Sequence, residues 1–293
     1  MTVTLEPEAS AITPGVFQAG RVALVTGGAS GIGLGLATAM LECGMCVAIG
    51  DVRKDHLATA SAALAHHSER LLTLELDVSR RQDWERAADA VAHRFGPLHF
   101  LGLNAGVGVM GTILGSKMGD WRWLMEVNLA GVTNGLEAFL PQLRAHGEPA
   151  HILATSSMGG LTVAAQGGIY SCAKFGVSAL MESLHAEFAD SAVGVSLLCP
   201  AAVNTNIFDH DEMRPVRHGD TGYVLPPAIA AEIRDISRQI LSRGADPLTF
   251  GRQVIAAITR GDFYIFTDGA VQPVLELRRD ALISTARAMK AMA

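Results

Sequence analysis

Seven short apolar runs, most of them followed by a longer stretch of helical patterning, constrain the fold of this chain more than any other feature. The runs lie at 22–26, 46–50, 71–76, 99–104, 151–156, 194–199 and 263–266. Helical stretches fall at about 32–43, 55–66, 80–95, 120–145 and 170–190. Strands apolar on both faces and joined by helices predict a parallel sheet covered on both sides. The expected fold is a single doubly wound α/β domain of about seven parallel strands. Of the 293 residues, 49% are hydrophobic and 18% charged, enough to fill such a core. Residues 1–16 read as a flexible tail, and 17–293 as the domain. They lack the basic-then-apolar pattern of a secretory leader, so a cytoplasmic protein is expected. The segment 206–250 interrupts the alternation and is expected to form a substrate loop or lid.

The net charge of −6 argues against a nucleic-acid groove or an anionic membrane surface as partner. The apolar run 33–50 carries one charge, Glu42, and approaches the length of a membrane span. Gly44 and Asp51 divide it, so it reads as a buried helix followed by a buried strand. Cys43 and Cys46 form a CxxC pair, but no second pair stands at matching spacing. With Cys172 and Cys199 they read as small buried hydrophobes in a reducing setting. No metal site is expected.

"VALVTGGASGIG" (22–33) joins the first strand to the first helix. Glycines there let the backbone approach a pyrophosphate, and the helix N-terminus supplies amide donors. Gly27, Ser30, Gly31, Ile32 and Gly33 are the candidate cradle, on a Rossmann-type fold. Asp51 ends the second strand, where a carboxylate accepts from an adenosine ribose hydroxyl and repels a 2′-phosphate. NAD is therefore expected rather than NADP. Val52 and Arg53 follow; the Arg53 guanidinium is the counter-argument, since it could welcome that phosphate.

Tyr170 and Lys174 lie four residues apart in a helical stretch and share a face. A neighbouring ammonium stabilises a phenolate and makes the phenol a better base. Together, "TGGASGIG" (26–33), "LNAG" (103–106), Asn128 in "EVNLAG", "SS" (156–157), "YSCAK" (170–174) and "CPAAVNT" (199–205) resemble the classical short-chain dehydrogenase/reductase family. The resemblance spans about residues 17–270. It implies that Tyr170 is the general acid/base and that Ser157 bonds the substrate oxygen beside a structural Ser156. It implies that Lys174 holds the nicotinamide ribose and lowers the Tyr170 pKa, with Asn128 supporting a water relay to Lys174. Asp77 and Val78 would flank the adenine, and Asn104, Ala105 and Gly106 would line the cofactor and brace the sheet. Pro200, Val203 and Thr205 would meet the nicotinamide end. Leu103 and Ala201 depart from the family pattern, and Ala201 adds a methyl near the nicotinamide.

Within the family, the stretches 156–184, 199–207 and 214–224 resemble a bacterial subgroup, the Cα-dehydrogenases. These oxidise benzylic secondary alcohols of lignin-derived aryl ethers with NAD. Met158, Phe208 and Tyr223, with Val163 and Met213, are candidates for an apolar substrate pocket. A steroid, an aliphatic alcohol or an NADP-dependent ketone reduction remains open. A non-catalytic nucleotide sensor would usually lack Tyr170 or Lys174, and the glycine rhythm disfavours an epimerase. Helices 120–145 and 170–190 carry broad apolar faces, and the family resemblance implies a homodimer or homotetramer.

Overall fold

The computed structural model describes residues 15–293 apart from Met110, 208–213, 224–231, 233–234, 237–238, Asp268 and Ala293. Seven strands form one parallel sheet: β1 (Val22–Thr26), β2 (Cys46–Asp51), β3 (Leu71–Glu75), β4 (Phe100–Leu103), β5 (Ala150–Thr155), β6 (Val193–Cys199) and β7 (Tyr264–Phe266). Their order is β3-β2-β1-β4-β5-β6-β7. In the centre, Leu24 pairs with Ala48 on one side and Leu101 on the other. Every residue of β1, β5 and β6 is buried, as expected of strands with a helical layer on each face.

The helices are α1 (Gly31–Glu42), α2 (Lys54–Ala63), α3 (Arg81–Phe95), α4 (Met118–Met125), α5 (Gly131–Ala145), α6 (Gly168–Glu187), α7 (Pro247–Arg260) and α8 (Gln272–Met292). One face of the sheet packs Leu101 and Leu197 against Trp84, Phe139 and Met181 of α3, α5 and α6. The other packs Val25 and Ile49 against Leu36, Met40 and Phe250 of α1 and α7. Helices α1 and α7 touch backbone to backbone: a Cβ on Gly35 would overlap the Pro247 carbonyl, and one on Gly251 would sit 2.6 Å from the Gly35 carbonyl oxygen. The chain turns one way from β1 to β2 and the other way to β4, which opens a crevice above their C-terminal ends.

Several boundaries differ from expectation. The helix read at 120–145 is two, joined by a π-helical turn at Glu126–Ala130. Such a turn adds a residue to the spiral and re-aims its side chains. Val16 is wholly buried and Phe17 meets Phe100 with ring centroids 5.6 Å apart, so packing begins inside the expected tail. Helix α7 starts within the expected lid, capped by Asp246 Oδ2 accepting from the Thr249 amide at 2.8 Å. Helix α8 was not expected; from Gln272 to Lys290 only Leu275 is even partly buried. The buried part of the cysteine reading holds for Cys199 alone, since Cys43, in the turn that ends α1, and Cys172, on α6, are exposed and Cys46 is half-buried. The run 33–50 does form a helix and a strand, broken at Gly44 with φ +84°. Among the described residues, no helix is long and apolar enough to cross a membrane.

Candidate active site

The crevice begins at the β1–α1 turn. Gly27 and Gly31 have φ of +60° and +49°, the left-handed region that other residues avoid. A Cβ on Gly28 would lie 2.7 Å from the Val25 carbonyl oxygen, and one on Gly33 would overlap the Gly27 carbonyl. These glycines fold the loop flat and bring the N-terminus of α1 to the crevice. The Ser30 side chain makes no capping bond there, so the first-turn amides suit an external anion.

A cleft extends from this turn. Of the cofactor-site candidates, Gly27, Ser30, Gly31, Ile32, Asp51, Val52, Asp77, Val78, Asn104, Ala105, Gly106 and Thr205 line it. Gly33 stays beneath the loop and Arg53 is not among the lining residues. His56, Trp123, Val127, Asn206, Ile207, Pro215 and Arg217 also line it and were not foreseen. Only long-range packing brings them there. The glycine cradle, the helix terminus and the carboxylate at the end of β2 fit a dinucleotide.

Asp51 is almost wholly buried. Its Oδ1 accepts from the Arg53 amide at 3.0 Å and its Oδ2 from the Ala29 amide at 3.4 Å, tying β2 to the glycine turn. The Arg53 guanidinium forms a fork with Asp55, Nε to Oδ1 at 2.8 Å and Nη2 to Oδ2 at 2.6 Å. That guanidinium holds the Asp55 carboxyl well below the usual carboxylate range.

The strand tips are joined by polar side chains. Asn104 Nδ2 donates to the Thr26 carbonyl at 3.0 Å, and its Oδ1 accepts from Thr155 Oγ1 at 3.0 Å. Ser156 Oγ donates to the Lys174 carbonyl at 3.0 Å and shares a 2.9 Å bond with Ser178 Oγ, which pins the end of β5 to α6. Ser157 accepts from the Gly159 amide at 3.0 Å and so opens the short turn Met158–Gly160.

Helix α6 sets Tyr170 and Lys174 one turn apart. Lys174 is buried; its Nζ donates to the Thr155 carbonyl at 2.8 Å and lies 5.8 Å from the centre of the Tyr170 ring. Burial pushes its pKa down to about 8. Burial also pushes the Tyr170 phenol up, against the opposing pull of the Ser157 hydroxyl. In the protein alone burial outweighs that pull, so the net shift of Tyr170 is upward, opposite to the direction expected from the resemblance.

Asn128 is wholly buried in the π turn. Its Oδ1 accepts from the Val107 amide at 2.8 Å and its Nδ2 donates to the Val107 carbonyl at 2.9 Å. A Cβ on Gly106 would lie 2.9 Å from Asn128 Oδ1 and 3.4 Å from Lys174 Nζ. The amide and the ammonium therefore converge on the small space beside Gly106.

A second recess adjoins the cleft, lined by Ile32, Gly108, Ser157, Tyr170, Ala201, Val203, Thr205, Ile207 and Leu241. Pro200 is buried, and its carbonyl accepts from the Met158 amide at 3.1 Å. Val203 pairs with Ala245, which fixes the loop after β6. Met158 is half-buried outside the recess lining, and Val163 is exposed. Tyr223 packs against the buried cluster that holds Val107, Trp123 and Ile169, with its ring over Gly111. Phe208 and Met213 lie outside the described residues. No cluster of three potential metal ligands occurs among the described residues.

The short chain dehydrogenase family profile matches residues 21–214, and the chain belongs to that family. It is an NAD(P)-dependent alcohol dehydrogenase or ketone reductase. A C alpha-dehydrogenase of Sphingobium sp. (strain NBRC 103272 / SYK-6) is 33% identical over 271 residues, 92% of this chain and 88% of that relative. A 3beta-hydroxysteroid dehydrogenase 2 of Eggerthella lenta is 33% identical over 192 residues, 64% of this chain and 73% of its own. A short chain dehydrogenase/reductase of Burkholderia phymatum, solved in complex with NAD, superposes with a TM-score of 0.85 at 31% identity, over 92% of this chain and 96% of its own.

Proposed function

We propose that this chain interconverts a bulky, partly aromatic secondary alcohol and its ketone, with NAD as the hydride carrier. The observation that carries the reading is the recess in which Ser157 and Tyr170 face apolar Ile32, Val203, Ile207 and Leu241, directly beside the dinucleotide cleft. A dinucleotide held in the cleft would supply the hydride acceptor and, in its oxidised form, one positive charge. Loss of hydride from the carbinol carbon requires loss of the hydroxyl proton. Tyr170 takes that proton as phenolate and returns it in the reverse direction. Ser157 donates to the substrate oxygen as charge develops there. Lys174 supplies the neighbouring positive charge, and with Asn128 flanks the space beside Gly106 through which a water relay would run.

Two features support NAD over NADP. The buried Asp51 carboxylate faces the cleft, where it suits a ribose hydroxyl and opposes a phosphate. The Arg53 guanidinium is engaged by Asp55. The likeness to the Sphingobium C alpha-dehydrogenase over nearly the whole chain supports a benzylic alcohol. The shorter match to a hydroxysteroid dehydrogenase makes a steroid the alternative. A cytoplasmic setting and assembly as a homodimer or homotetramer through α4, α5 and α6 belong to the same reading, the latter tested by light scattering.

The test is NADH formation from benzylic aryl-ether alcohols, steroids and simple aliphatic alcohols, with NADP run in parallel. Dominant turnover of the benzylic alcohols with NAD is expected. Preference for steroids or aliphatics overturns the substrate class, preference for NADP overturns the cofactor reading, and dinucleotide binding without any turnover overturns the enzyme reading.

A further inference from the structure

Asp120 is a wholly buried carboxylate at the start of α4. Such a charge is retained only when donors surround it. Its Oδ2 accepts from the Lys117 amide at 2.8 Å, within its own helix cap. Its other partners come from a segment about a hundred residues further on: Arg214 Nη1 donates to Oδ1 at 2.8 Å and the Gly222 amide to Oδ2 at 2.9 Å. Arg214 in turn gathers that segment, with Nε donating to the Gly219 carbonyl at 2.7 Å and Nη2 to the His218 carbonyl at 3.2 Å. Its guanidinium lies over the Trp123 ring, 5.3 Å from the centroid.

The segment is seated without slack. A Cβ on Gly119 would overlap the His218 carbonyl, and one on Gly222 would overlap the Gly115 carbonyl. Residues of the same segment reach the dinucleotide cleft: Pro215 and Arg217 line it beside Trp123. Arg217 Nη2 donates to Ser79 Oγ at 2.9 Å and approaches Asp77 Oδ2 at 3.6 Å and Glu126 Oε2 at 3.7 Å. It therefore spans the cleft mouth from the loop after β3 to the π turn.

We infer that Asp120 and Arg214 are positioning residues that hold segment 214–223 as the outer wall of the dinucleotide cleft, and that Arg217 closes that wall. This rests on the dinucleotide reading of the cleft. The pair touches neither cleft directly; it acts by keeping the wall seated. A wall seated only a tenth of the time would raise the apparent Kd about tenfold.

The test is the Kd of NADH and of NADPH by titration calorimetry on wild type, Arg214→Met, Asp120→Asn and Arg217→Ala, with each Tm measured alongside. The expected result is a Kd raised by about tenfold or more in Arg214→Met and Asp120→Asn, with kcat at saturating dinucleotide within about threefold of wild type in these two, and a smaller rise in Kd without loss of Tm in Arg217→Ala. Folded variants with a lower Tm and an unchanged Kd would give the pair a purely structural role and overturn the inference. Should Arg214→Met fail to fold, Arg214→Lys keeps the charge against Asp120 and drops the forked contacts to residues 218 and 219; the same criterion applies. A wild type that binds neither dinucleotide defeats the cleft reading instead, a result distinct from unchanged affinity in the variants.

Discussion

Replacing Gly106 with alanine tests whether Asn128 and Lys174 converge as the structure has them. The added methyl would lie 2.9 Å from Asn128 Oδ1 and 3.4 Å from Lys174 Nζ. The first distance is too short for a carbon–oxygen contact, so one partner must move by several tenths of an ångström. Asn128 cannot move freely, since both ends of its amide bond the Val107 backbone, at 2.8 and 2.9 Å. Stretching these bonds sacrifices part of about 0.5–1.5 kcal/mol each, and overpacking adds about 1–3 kcal/mol. A loss of roughly 2–3 kcal/mol is expected, at about 2–4 °C per kcal/mol for a large domain. The contact with Lys174 Nζ stays ordinary, so the strain falls on Asn128 and on the relay space beside Gly106, and kcat falls by about 10- to 100-fold, the scale of a misplaced catalytic group. The assays are thermal denaturation and steady-state NADH formation. Gly106→Ala with the wild-type Tm and kcat would refute the convergence, and with it the relay beside Gly106.

Tyr170→Phe should lower kcat by roughly 10²- to 10⁴-fold while the dinucleotide still binds. Because burial holds the Tyr170 phenol above its ordinary value, the phenolate fraction is small at neutral pH, so alcohol oxidation should climb with pH through one ionisation and ketone reduction should fall; a flat profile with chemistry limiting would count against Tyr170 as the base. Asp55→Ala should remove the forked contact on the Arg53 guanidinium and raise kcat/KM for NADP by roughly two- to fivefold, the scale of an exposed ion pair, and the gain should vanish in the double variant with Arg53→Ala. His151 is enclosed in the core, and burial pushes its pKa down from 6.5 to about 3. The folded state therefore binds fewer protons than the unfolded chain between these values, so stability is full above pH 6.5 and declines as the pH falls; His151→Leu should flatten that decline in acid denaturation curves.

The sheet was legible because parallel strands buried on both faces must be apolar along their whole length, and the runs at 22–26 and 194–199 are. The catalytic spacing was legible because α6 alone sets Tyr170 beside Lys174. What stayed hidden depends on contacts distant in sequence. Nothing local marks the π turn at Glu126–Ala130, whose register follows from Asn128 bonding Val107. Gly35 stands just after the glycine turn in sequence, yet the close approach it permits is to Pro247, 212 residues away. Arg217 and His56 look like ordinary surface charges until the fold carries them to the cleft. Helix α8 has exposed Leu277, Leu282 and Met289 and gave no clear two-sided pattern to read.

The place of the site follows from the same physics as the fold. Apolar strands satisfy their backbone groups by pairing with one another, but at their C-terminal tips pairing ends and the exposed groups need other partners. Thr26, Asn104, Thr155 and Ser156 stand at those tips, and each spends its side chain on a neighbouring backbone or tip. Thr155 Oγ1 donates to Asn104 while the Thr155 carbonyl accepts from Lys174, so the brace of the sheet and the seat of the ammonium are one residue. Lys174 returns the tie, its own carbonyl accepting from Ser156 and from Ser178. A shift of the β5 tip would thus move Ser157, Lys174 and, through α6, Tyr170 together. The reacting groups keep their mutual geometry because they hang on one small network, and that network exists because three parallel strands end at the same level.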